Sequence, residues 1–230
     1  MEKRRIRVWD VPTMLFHWLL VLLTIAAFVT GFLGGGLIEA HGQLGLAIAG
    51  LLAFRLVWGV IGSTYARFIQ FVPGPARVFA YLRGQWHGLG HNPLGAFSVL
   101  GLLALMLFQV ASGLVSDDNI AFTGPLKTLV SQATADQLTG LHKLNVWLIA
   151  GLVSLHTLSV IFYFVVKKKN LLTPMFTGYK TVDDPALQPA RGGGWLPFVL
   201  AVLIAAGAVW VANGGLNPPL PPPPQAAPAW

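Results

Sequence analysis

The chain has 230 residues, 55% of them hydrophobic and only 10% charged, where ordinary soluble domains carry roughly 25% charged residues. That balance excludes a soluble globular domain and makes lipid the solvent for most of the chain. The net charge of +7 does not indicate nucleic acid, because the basic residues flank apolar runs instead of lining one solvated face. The lack of cysteine excludes disulfides, iron–sulfur clusters and any cofactor attached through a thioether.

In chain order, MEKRRIRVWD is a basic flank. The apolar run behind it is too long for a cleaved signal peptide and has no small-residue cleavage site, so it reads as a retained helix. Five segments are long enough to span a bilayer: Met14 to Leu33, His41 to Gly62, Leu94 to Val115, His142 to Val166 and Trp195 to Ala212. Between the second and third, "STYARFIQFVPGPARVFAYLRGQWHGLGHN" mixes aromatics with arginine. It predicts a short amphipathic helix after Pro75, lying along the headgroups. The loop from Ser116 to Gly140 carries Asp117, Asp118 and Asp136. The tail "GGLNPPLPPPPQAAPAW" predicts extended polyproline II. The expected fold class is all-α and membrane-integral. A four-helix core occupies residues 1–170, a cytoplasmic linker 171–194, a fifth spanning helix 195–213 and a proline-rich extracytoplasmic tail 214–230.

Orientation follows from the connections. Lys3, Arg4, Arg5 and Arg7 precede the first span, Arg67, Arg77 and Arg83 follow the second, and Lys167, Lys168, Lys169, Lys180 and Arg191 follow the fourth. The other side has only Lys127 and Lys143. The expectation is a bacterial inner-membrane protein with its N-terminus cytoplasmic and its C-terminus periplasmic.

Histidine is costly in hydrocarbon unless something pairs with it. His17, His41, His142 and His156 fall in or at the ends of the expected spans. His142 and His156 are fourteen residues apart, about 40° short of four turns, so they share a stripe roughly 21 Å long. With alternating helices, His17 and His156 lie at the inner level, while His41 and His142 open their helices at the outer level. Two imidazoles facing across a gap can ligate one iron axially. A haem between helices needs small residues beside it, and Gly31, Gly45, Gly151 and Ser154 supply them, although close helix packing is the commoner use. Arg55 is fourteen residues from His41, on the same side at the inner level. A propionate of an inner haem suits its bidentate fork, and snorkelling to headgroups is the alternative. His87 and His91 read as loop surface. Gln109, Ser112 and Gly113 read as inter-helix packing and hydrogen bonding in preference to a quinone site, and Lys167 to Lys169 as a stop flank.

The stretches "RVWDVPTMLFHW", "FRLVWGVIGSTYARF", "GHNPLG" and "LHKLNVWLIAGLVSLH" resemble the prokaryotic cytochrome b-561 family. That family includes the b-type cytochrome subunit of nickel–iron hydrogenases. The resemblance covers roughly residues 5 to 180 and includes all four histidines. It implies two non-covalent, bis-histidine haems b in a four-helix core. His17 and His156 match the ligands of one haem, His41 and His142 those of the other. It also implies electron transfer between quinone and a partner protein, such as a c-type cytochrome or a hydrogenase subunit, and sets "GHNPLG" near the inner haem or a quinone. The chain departs from the family at Met14, where an arginine is common nearby, and in its fifth helix and tail. The competing expectation is a histidine-lined proton-coupled or metal transporter; a haemless anchor subunit is a third reading. Whether the chain is itself a quinol oxidoreductase or a subunit of one, and whether it forms a homo-oligomer, stays open at this stage.

Overall fold

The computed structural model describes residues 3–120 and 122–217; most of the proline-rich tail, 218–230, lies outside the described residues. Five helices are long and apolar enough to cross a membrane. They are α1 (Val11–Leu33), α2 (Ile38–Ile61), α5 (Pro93–Leu114), α6 (Gln132–Val165) and α8 (Trp195–Ala212), with the short helices α3 (Phe68–Phe71), α4 (Pro75–Leu82) and α7 (Leu172–Thr177) between them. The chain is a multi-pass membrane helical bundle.

Polar caps set several boundaries. Asp10 Oδ1 accepts from Thr13 N at 2.8 Å to start α1, and Asn92 Oδ1 accepts from Gly95 N at 2.7 Å to start α5. A single turn at Gly35–Leu37 joins α1 to α2, with Gly34 at φ 60°, a backbone region that glycine enters freely. Ser131 caps α6, eleven residues before the expected start at His142. The helix therefore runs about 51 Å, well beyond a hydrocarbon core of about 30 Å, and His142 lies about three turns inside it. His41 is likewise the fourth residue of α2 and not its first.

In space α1 packs on α2, α2 on α5, and α5 on α6. Between α1 and α6 the Phe32 and Trp147 rings lie 5.6 Å apart. The fifth span, α8, stands behind α2. Phe198 meets Phe54 and Trp58 edge-on, Ala201 is fully buried, and a Cβ on Gly50 would lie 2.8 Å from Val209. The central core gathers Ile48, Leu52, Trp58, Leu103, Met106 and Ile149.

The basic N-terminus is more than a flank. Arg4–Arg7 forms β1, antiparallel to β2 (Tyr179–Val182), with Arg4 opposite Val182 and Arg7 opposite Tyr179. Residues 171–194, expected as a linker, thus fold back onto the N-terminus. Ile6, Val8, Trp9, Leu89 and Val182 make a second small core there.

Asp10 joins the two cores. Its Oδ2 accepts from the Nε1 of fully buried Trp58 at 3.0 Å. Asp10→Ala is expected to remove a helix cap, about 1 kcal/mol, and to strand the indole donor, about 1–3 kcal/mol. Thermal unfolding in detergent should show the loss, and Asp10→Asn, which keeps one acceptor oxygen but sets an NH2 against the other donor, should show an intermediate one.

Candidate functional site

The structure brings His41 and His142 together at the end of the bundle far from the N-terminus. Their ring centres are 6.1 Å apart and their planes cross at 88°. Two imidazoles bound trans to one metal ion, with metal–nitrogen bonds of about 2.0–2.1 Å, hold their ring centres about 6.3 Å apart. Each ring is tied down through Nδ1, 2.9 Å from Ala27 O in His41 and 2.9 Å from Gln109 O in His142. A carbonyl oxygen only accepts, so Nδ1 carries the proton and Nε2 the lone pair that a metal needs. Gln109 Nε2 donates to His142 Nε2 at 3.1 Å, and its Oε1 accepts from Asn145 Nδ2 at 2.8 Å. Iron at His142 Nε2 would take the place of that amide hydrogen. Gln109, Ser112 and Gly113, expected to serve inter-helix packing and hydrogen bonding, do so against His142, a partner that the sequence did not name. The available signal was their i, i+3, i+4 spacing at the depth of His142.

At the amino end of the bundle, His17 on α1 and His156 on α6 come close enough for their charges to interact. His17 Nδ1 is buried and has no hydrogen-bond partner among the described residues. Arg55 is 3% exposed, so it does not snorkel. Its guanidinium lies over Phe68 at 4.7 Å, with Phe71 at 5.8 Å and Phe16 at 5.9 Å, and its buried Nη1 lacks a partner. A buried cation with an orphaned donor calls for an anion.

His91 is not the surface residue that its loop suggested. It packs between Trp9 and Phe71, with ring centres 4.8 Å from each, and its Nδ1 is buried without a partner. Burial, and then the Arg55 charge, hold its pKa down at about 3, so it is neutral at working pH. A cavity of about 180 Å³ beside it is lined by Tyr65, Phe71, Arg77 and Trp86. His87 lies in the same loop, outside any helix.

These residues fit haem better than a bare metal ion. Among the described residues no group of three or more His, Cys, Asp or Glu is gathered, whereas an isolated ion needs such a set. Two histidines suffice where a porphyrin supplies the other four ligands. Nothing lies within 4 Å of a Cβ built on Gly45 or Gly151, so neither glycine serves helix packing there. Gly50 and Gly101, by contrast, pack against Val209 and Leu152.

A membrane helical bundle with paired histidines and a buried arginine fits the class of b-type cytochromes. The prokaryotic cytochrome b561 family matches residues 8–178, and the chain belongs to that family. It is 21% identical over 213 residues to the probable Ni/Fe-hydrogenase 1 B-type cytochrome subunit of Escherichia coli (strain K12), covering 76% of this chain and 90% of that one. It is 24% identical over 228 residues to the probable Ni/Fe-hydrogenase B-type cytochrome subunit of Azotobacter vinelandii, covering 80% and 91%. The subunit of the same name in Cupriavidus necator is 23% identical over 216 residues, covering 77% and 87%. No solved structure matches the chain. Membership of this hydrogenase-associated family makes the chain a haem b protein of membrane electron transport and displaces the transporter reading.

Proposed function

We propose that the chain holds two haems b, one between His17 and His156 and one between His41 and His142. It would pass electrons across the bacterial cytoplasmic membrane between quinone and an extracytoplasmic partner. The observation that carries this reading is the 6.1 Å separation of the His41 and His142 rings, with Nδ1 of each held by a backbone carbonyl. Haem iron with both axial positions filled exchanges single electrons without an open coordination site. Around it, the protein's work is orientation and electrostatics: the carbonyls fix the imidazole tautomer, and Arg55 offers its unpaired Nη1 to a propionate. The aromatic-lined cavity beside His91 supports exchange with a flat, lipid-soluble quinone at the amino end. The relatives' names favour a hydrogenase as partner, with a c-type cytochrome as the alternative. A reduced-minus-oxidised spectrum of the purified chain without b-type bands would overturn the reading.

Basic residues cluster at the amino end, which supports placing that end in the cytoplasm. The opposite face holds Glu39, Asp117, Asp118 and Asp136 against Lys127 and Lys143. Such a face steers a basic partner and raises its on-rate more than its affinity. Electron transfer to the partner is expected to slow several-fold as salt shortens the Debye length toward about 8 Å. A Glu39→Gln/Asp136→Asn variant should flatten that dependence in stopped-flow traces. Asp118 is unsuitable for this test, because its Oδ1 accepts from Ile120 N and Phe122 N, both at 2.9 Å, and holds the turn.

A further inference from the structure

Ala27, Thr30 and Gly31 on α1 present three groups to His41. The Ala27 carbonyl accepts from Nδ1 at 2.9 Å, Thr30 Oγ1 lies 3.4 Å from the same nitrogen, and a Cβ on Gly31 would stand 2.9 Å from ring atom Cε1. Gln109, Ser112 and Gly113 on α5 present the same three groups to His142. The corresponding separations are 2.9 Å to the carbonyl, 3.2 Å to Ser112 Oγ and 2.9 Å from a Gly113 Cβ to Cε1. The spacing is i, i+3, i+4 in both, which puts the three groups on one helix face. Each hydroxyl also donates backwards along its own helix, Thr30 to Ala26 O and Ser112 to Phe108 O, both at 2.8 Å. The oxygen lone pairs are thereby left facing Nδ1–H. Each glycine lets the Cε1 side of an imidazole approach the helix where the Cβ of any other residue would push it away.

We propose that these triplets are two copies of one positioning device, which fixes the planes of His41 and His142 near a right angle. The haem between them is then the highly anisotropic low-spin centre of the protein. This rests on the reading that the two histidines share one iron. The consequence is electronic. Parallel imidazoles lift the degeneracy of the two iron d orbitals that overlap their π systems, and crossed imidazoles leave those orbitals nearly degenerate. Ferric iron with crossed rings shows one large-g feature at liquid-helium temperature, whereas near-parallel rings give an ordinary rhombic signal.

The test is low-temperature EPR of the full-length, oxidised holoprotein in detergent, with haem counted per chain. The large-g feature is expected in the unaltered chain, retained in His17→Ala and lost in His142→Ala. Gly31→Ala and Gly113→Ala are expected to keep two haems while the large-g feature gives way to a rhombic one. If a glycine variant loses haem, Thr30→Val/Ser112→Ala carries the test, with the feature moving toward the rhombic position. Two rhombic signals in the unaltered chain, or a large-g feature that disappears in His17→Ala or ignores all these triplet changes, overturns the proposal. A haem count unchanged in both His41→Ala and His142→Ala overturns instead the ligand reading beneath it.

Discussion

His142→Ala is expected to keep one haem per chain and lose the other, and His156→Ala to do the reverse. The two levels on α6 are fourteen residues and about 21 Å apart along one helix, too far for one haem to use both. His142 faces His41 at 6.1 Å between ring centres, while His156 interacts with His17 at the other end. Haem content by difference spectroscopy should fall from two to one in each variant. Because a bound ligand stabilises the native state by mass action, by about 2.7 kcal/mol at a hundredfold excess over Kd, thermal unfolding must accompany the count. A folded variant that has lost both haems, or neither, rules out the pairing.

Arg55→Leu should lower the midpoint potential of the haem held by His17 and His156 and leave the other nearly unchanged. Removing a positive charge favours the oxidised, more positive iron. At an effective dielectric near 20, a unit charge about 8 Å away contributes about 2 kcal/mol, or about 90 mV for a one-electron couple. The dry surroundings of Arg55, at 3% exposure among Phe16, Phe68 and Phe71, place the effect toward the upper end of that scale. Stability should not suffer, because a leucine of similar bulk replaces a buried cation whose Nη1 has no protein partner. Arg55→Lys keeps the charge and loses the fork, so its potential should move less. A redox titration in which only the His41–His142 haem shifts would contradict the placement of Arg55.

Much of the frame was legible because lipid is a demanding solvent. Runs nearly without charge marked the five spans, while the Asp10 and Asn92 caps start α1 and α5 at Val11 and Pro93, three residues and one residue before the expected Met14 and Leu94. The start of α6 was not legible from hydropathy, which reports what the bilayer solvates and not how far a helix continues into water. Ser131, the cap that extends it, lies eleven residues earlier in a polar stretch. The β1 strand was overlooked because its arginines read as a topology signal. Its alternation, Arg5 and Arg7 outward with Ile6 and Val8 buried, was the available clue.

The sequence by itself determined depth. A rise of about 1.5 Å per residue sorts His17, His41, Arg55, His142 and His156 into two levels whatever the helices pack against. Only the tertiary structure decided neighbours. It put α8 behind α2, drew His91 inward between Trp9 and Phe71, buried Arg55 where it might have snorkelled, and set Ser112 and Gly113 against His142. Most of these contacts join residues distant along the chain, such as Gly113 and His142, 29 apart, or Trp9 and His91, 82 apart, and depend on how side-chain ridges of separate helices interlock. Helix periodicity fixes the angle of a residue on its own helix, but not which helix stands opposite.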